Sequence, residues 1–122
     1  MSPVLNVIMI YAKDMKKSAA FYQTFFGFVS TGIVVEGLIE LTSPNGGANI
    51  LIHQAAKSLK LGHVGVKLVF AIQDVEGFKR KSAERGLEFG SAHHANGYSF
   101  ANAKDPDKNS VSISSRAYRG EA

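Results

Sequence analysis

A chain of 122 residues, of which 45% are apolar and 20% charged, is long enough to bury one hydrophobic core, and its composition excludes collagen-like, coiled-coil and low-complexity classes. It contains no cysteine, which excludes disulfides, thiolate metal sites and thiol nucleophiles. The formal charge is +4, but no aromatic residues interleave with the basic groups, so we expect no nucleic-acid partner.

No apolar run approaches the ~18 residues of a membrane span, and the first residues lack the basic and apolar regions of a secretory signal. We therefore expect no membrane partner, a cytoplasmic location and a single domain over residues 1–122.

The first half of the chain predicts one strand, one helix and three further strands. Residues 4–11 are apolar and rich in branched side chains, which indicates a buried strand. Asp14 is a typical helix N-cap and Gly27 a typical C-terminal stop, so the segment between them is predicted to be helical. The three strands that follow are predicted at residues 28–35, 38–42 and 48–54.

The second half repeats this order about 60 residues later. Asp74 caps a second helix that ends at Gly86, and strands are predicted at residues 87–91, 98–104 and 110–115. A Pro-containing turn precedes the last strand of each half. The sequence thus predicts an α+β fold of two βαβββ repeats, at about 4–54 and 63–115. They are expected to have pseudo-twofold symmetry, with the helices outside a curved mixed sheet.

Two sequence motifs carry a family resemblance. The first helix reads Lys-Asp-Met-Lys-Lys-Ser-Ala-Ala-Phe-Tyr and then Phe-Phe-Gly-Phe, and Asp-Pro-Asp-Lys-Asn precedes the last strand. In this combination the chain resembles the vicinal oxygen chelate superfamily of glyoxalases, bleomycin-resistance proteins and extradiol dioxygenases. The resemblance covers residues 4–115, and these motifs identify a fold better than a reaction.

Metal-dependent members of that superfamily hold a divalent cation with His, Glu or Gln side chains from four strands. In this sequence the corresponding positions fall on Val7, Lys67 and Ser112, and on Ile50, or Leu51 if the double glycine shifts the register. The valine, isoleucine and protonated lysine side chains lack the oxygen or imidazole donors that such a cation needs, and one serine hydroxyl does not replace them. We therefore expect no metal and no cofactor, and no reaction of the metal-dependent kind.

The side chains that share a face with these positions form the candidate ligand site. Residues two apart in a strand point to the same side of a sheet, which predicts a pocket with apolar and aromatic walls and a few polar groups. No catalytic residue is assigned. The candidate ligand-binding residues are Val7, Met9, Tyr11, Glu40, Ile50, Lys67, Tyr98, Phe100, Asn102 and Ser112.

Lys67 and Glu40 each have two interpretations. An ammonium group among apolar neighbours needs a carboxylate, a ligand anion or water, so Lys67 and Glu40 are predicted to face the pocket and interact. Alternatively, each side chain extends into solvent. Of the histidines, His93 and His94 are predicted in a loop at the pocket mouth, and His53 is predicted to pack or face solvent.

Two functions follow. The first is a metal-independent small-molecule-binding protein of the glyoxalase/bleomycin-resistance type. Bleomycin itself is not expected as the ligand, because a cationic molecule matches a protein charge of +4 poorly. The alternative is a glyoxalase-like lyase or isomerase that works without the usual metal ligands, with Glu40 as base and Lys67 opposite an oxyanion. The resemblance also implies a homodimer.

Overall fold

The structure, a computed structural model, describes residues 2–120 and has the α+β fold that the sequence predicts. The chain divides into two compact units, the first ending at Leu61 and the second beginning at Gly62. The elements are β1 Val7–Ala12, α1 Met15–Phe26, β2 Leu38–Leu41, β3 Asn49–Gln54, β4 Lys67–Ala71, α2 Val75–Glu84, β5 His93–Ala95, β6 Tyr98–Lys104, β7 Ser110–Ser114 and a 3₁₀ turn Arg116–Tyr118.

Both helices begin and end as their sequences predict. The Asp14 carboxylate accepts a hydrogen bond from the Lys17 amide, and the Asp74 carboxylate accepts one from the Gly77 amide. Each aspartate therefore satisfies an amide that the first helical turn leaves unpaired. Gly27 ends α1 at φ +73°, a left-handed conformation that glycine adopts without strain.

The two sheets have the same pairing pattern. In the first unit β3 is central, with β1 parallel on one side and β2 antiparallel on the other. In the second unit β7 is central, with β4 parallel and β6 antiparallel, and β5 extends the sheet beyond β6. The strands β1, β3 and β2 therefore have the same relative order in the first sheet as β4, β7 and β6 have in the second.

One face of the first sheet is buried against α1. Ile10, Ile39 and Ile52 are buried on three neighbouring strands, together with Tyr22 of the helix. The residues between them in sequence point to the other side and are more exposed. The prediction that residues 4–11 form a buried strand is therefore wrong in two respects. The strand begins only at Val7, and just one of its faces is buried.

The predicted strand 28–35 is not a continuous strand. Only Val29 and Val35 pair, in isolated bridges to Thr42 and Leu38. Between them the hydroxyl of Ser30 accepts a hydrogen bond from the Gly32 amide, and that of Thr31 accepts one from the Ile33 amide. These short side-chain turns compete with strand pairing and interrupt the extended chain.

The predicted strand 87–91 is also displaced along the chain. Gly90 donates one backbone hydrogen bond to Asn102, but the strand beside β6 is β5, at His93–Ala95. Asn96–Gly97 joins β5 to β6, and a two-residue Asn-Gly loop is a favoured hairpin connection.

Among the described residues, no helix is long and apolar enough to cross a membrane.

Candidate functional site

The open face of the first sheet carries four of the residues predicted for the site. Val7, Met9 and Tyr11 alternate with the buried positions of β1, and Met9 and Tyr11 are exposed. Glu40 on β2 is exposed and lies opposite Leu51 of β3, which in turn lies beside Met9. Strand pairing thus places these side chains on one surface.

Ile50 does not belong to that surface. It is 2% exposed and shares the helix-facing side of β3 with Ile52. The residue on the open face is Leu51, the position predicted if the double glycine shifts the register. At the start of β3, the Asn49 side chain accepts a hydrogen bond from the Ser43 amide of the preceding turn.

The open face of the second sheet carries the other five. On β6, Tyr98, Phe100 and Asn102 alternate with buried Ala101, and Asn102 pairs with Ser112 of β7. Lys67 lies on β4, on the same side as these residues by strand alternation. We call Lys67, Tyr98, Phe100, Asn102 and Ser112 the second open face.

Lys67 and Asn102 contact each other directly. The Lys67 Nζ donates a hydrogen bond to the Asn102 Oδ1 at 3.0 Å. Ser112, 2% exposed, instead donates its hydroxyl to the backbone oxygen of Ala101 at 3.0 Å. The polar end of the second open face therefore consists of a lysine and an amide side chain, while the serine hydroxyl bonds to the backbone of the neighbouring strand β6.

Aromatic and basic side chains extend this face along β6. The rings of Tyr98 and Phe100 have centroids 6.3 Å apart, and the His93 ring stacks on Phe100 with centroids 5.1 Å apart. The Arg116 guanidinium carbon lies 5.9 Å from the centroid of Tyr98, within the usual range of a cation–π contact. These contacts form a row of flat groups with the Lys67–Asn102 pair beyond it.

His93 and Arg116 are functional candidates that the sequence did not supply. The sequence predicts a loop at His93, whereas this residue belongs to β5 and faces the same side as Phe100, its cross-strand partner. The Asn96–Gly97 dipeptide is the signal that predicts this hairpin. Arg116 follows the last predicted strand, and no sequence pattern connects it to Tyr98.

His53 lies on the open face of the first sheet. Its ring contacts that of Tyr11, with centroids 5.3 Å apart. The ring Nδ1 lies 2.8 Å from the backbone oxygen of Gln54, and because that oxygen can only accept, Nδ1 carries a proton. In a neutral ring the Nε2 atom is then left as a proton acceptor.

The predicted interaction of Lys67 with Glu40 joins residues of different units and stays a prediction. Within residues 2–120, no three His, Asp or Glu side chains converge in a way that could hold a metal ion.

Structural relatives support the fold. The oxidase ChaP-H2 has a TM-score of 0.76 and 21% identity, over 95% of each chain. TnmS3, an antibiotic-binding protein from Streptomyces sp. CB03234, has a TM-score of 0.75 and 18% identity, over 93% of this chain and 94% of its own. Lactoylglutathione lyase from Agrobacterium tumefaciens has a TM-score of 0.72 and 20% identity, over 98% of each chain.

No curated protein matches the chain in sequence. The family assignment comes from a sequence model of the glyoxalase/bleomycin resistance protein/dioxygenase superfamily, which matches residues 4–113. That match covers both α-helices of the two units and nearly all of their strands. The chain therefore belongs to the glyoxalase/bleomycin resistance protein/dioxygenase superfamily.

Proposed function

We propose that the protein is a cytoplasmic, metal-independent small-molecule-binding protein whose ligand lies on the second open face. The observation that carries this proposal is that the aromatic rings of Tyr98 and Phe100 share one face of the sheet with the hydrogen-bonded side chains of Lys67 and Asn102. Ligand sites are typically apolar and aromatic surfaces with a small number of polar groups that fix orientation. The description of TnmS3 as an antibiotic-binding protein agrees with binding as a function of this fold.

Binding without a metal is supported by the chemistry of the residues at the superfamily's ligand positions. Val7 and Leu51 have no donor atoms, and an ammonium group such as that of Lys67 does not coordinate a cation. We expect the dialysed protein to contain no stoichiometric transition metal by elemental analysis, and ligand affinity to be unchanged by a chelator. A stoichiometric metal that is lost together with ligand binding would contradict this part.

A homodimer is the assembly we propose. Each sheet leaves large apolar side chains exposed, such as Met9 at 42% and Val69 at 59%. Exposed apolar side chains next to one another favour association with another surface. Light scattering is expected to give twice the 13.1 kDa of one chain, and a mass of 13.1 kDa at micromolar concentration would contradict the dimer.

Native mass spectrometry of the purified protein tests the binding function. We expect an added mass of one small organic molecule, either as purified or after incubation with a cell extract. The variant Phe100→Leu removes the ring but keeps an apolar side chain, and it should lose the added mass. Lys81→Met, on α2, is the matched control and should keep it. The bare chain mass under both conditions, or equal retention by Phe100→Leu, would overturn the proposal.

A lyase or isomerase is the second candidate, and one observation favours it. Glu40 and His53 are diagonal neighbours on the open face of the first sheet, so that face presents a carboxylate and an imidazole nitrogen that both accept protons. Because one structural relative is a lactoylglutathione lyase, the assay is formation and consumption of lactoylglutathione. Turnover that Glu40→Gln abolishes would establish this function, and no turnover by the wild-type protein would exclude it for this substrate.

A further inference from the structure

We infer that the ligand of the second open face is a planar aromatic anion, with its acidic group at Lys67 and Asn102 and its ring along Phe100 and Tyr98. This inference rests on the proposed function and adds the charge and shape of the ligand. It follows from the charge of the strands, the donors at one end of the face and the flat groups along it.

The second sheet carries positive charge and no carboxylate. Its four strands, β4 to β7, include Lys67 and Lys104 but neither aspartate nor glutamate. The described acidic residues of this unit lie outside the strands, on or beside α2 and in the turn before β7: Asp74, Glu76, Glu84, Glu88, Asp105 and Asp107. The strands that would hold an anion therefore carry no negative charge to repel it.

The polar end of the face offers hydrogen-bond donors. The Lys67 ammonium has three N–H groups and uses one of them for Asn102 Oδ1. Since that oxygen points to the lysine, the Asn102 amide nitrogen is left to donate. A carboxylate accepts from both groups at once, and a hydrogen bond between ionised partners is about twice as strong as one between neutral groups.

The spacing along β6 suits a ring attached to an acidic group. Phe100 and Asn102 are two residues apart in an extended strand, which separates them by about 7 Å. Tyr98 lies a further two residues along, with its ring 6.3 Å from that of Phe100. A flat ligand on these rings can therefore place an attached acidic group within reach of Lys67 and Asn102. The Arg116 guanidinium beside Tyr98 adds a second positive charge to the face.

Three matched probes separate charge from shape. Naphthoate is planar and anionic, naphthamide is planar and neutral, and decalin carboxylate is anionic but saturated and not planar. Isothermal titration calorimetry with the full-length protein is expected to give naphthoate an affinity about tenfold above that of each other probe. Raising the salt concentration should lower the affinity for naphthoate and leave the affinity for naphthamide unchanged, because salt screens only the charged contact.

Two lysine variants test the position of the anion. Lys67→Met keeps the length of the side chain and removes its charge, and we expect about a tenfold loss of naphthoate affinity with little change for naphthamide. Lys81→Met removes one positive charge from α2 and should leave both affinities unchanged. Lys67 is exposed and its partner is a neutral amide, so this substitution is expected to leave the fold intact, which circular dichroism checks.

The outcomes separate this inference from the function on which it rests. Equal affinity for naphthamide, or equal losses in the two lysine variants, would overturn the anionic ligand but leave small-molecule binding in place. Equal affinity for decalin carboxylate would overturn the planar ligand. Failure of all three probes to bind would overturn the inference as a whole, whereas a molecule retained in native mass spectrometry would still establish the binding function.

Discussion

The face to which Ile50 points gives a sharp stability prediction. Ile50 is 2% exposed on the helix side of β3, and Leu51 is half-buried on the open side. Ile50→Ala removes three carbons at about 0.8 kcal/mol each and leaves a cavity closed by α1, so we expect a loss of about 3 kcal/mol in the free energy of unfolding. Leu51→Ala opens no closed cavity and should cost about 1 kcal/mol.

Urea unfolding followed by circular dichroism measures both losses. An unchanged m-value, which is the slope of the unfolding free energy against urea concentration, shows that the change is one of stability. Ile50→Val serves as a graded control and should cost about 1 kcal/mol, because it removes a single methylene. A larger loss for Leu51→Ala than for Ile50→Ala would place Leu51 in the core and refute the strand register on which the open faces depend.

Three further substitutions test local structure by urea unfolding. Glu36→Asn should stabilise the protein by about 0.5 kcal/mol, because Glu36 has φ +52° in a two-residue turn and asparagine tolerates that conformation; a loss would contradict the turn. Asp105→Ala should cost about 3 kcal/mol, since its buried carboxylate accepts from the amides of Asp107 and Asn109, and a loss below about 1 kcal/mol would show that the turn does not need it. Asp74→Ala should cost about 1 kcal/mol through its helix cap, and no change would mean that the cap is not formed in solution.

Local chemistry made much of the fold predictable. Asp14 and Gly27 specify a helix through interactions with their immediate neighbours, and the structure has both features where the sequence predicts them. Strand alternation placed Lys67 and Asn102 on one face, because side-chain direction depends only on position within a strand.

The remaining features depend on contacts that the sequence pattern does not encode. Ile50 and Leu51 are both apolar, so hydrophobicity alone does not decide which of them faces α1. The partner of Lys67 within its own unit is Asn102, which is 35 residues away in sequence and carries no charge to suggest the pairing. Arg116 reaches Tyr98 from a 3₁₀ turn beyond the last strand, a placement without any periodic signal.

The central claim is that a small molecule binds on the second open face. It is tested most directly by amide NMR spectra of the protein titrated with naphthoate and with naphthamide. The account predicts that the largest shift changes for either probe fall on residues 98–102 and on Lys67, with small changes on α2. Changes concentrated on α2, or none on residues 98–102 at saturation, would contradict it.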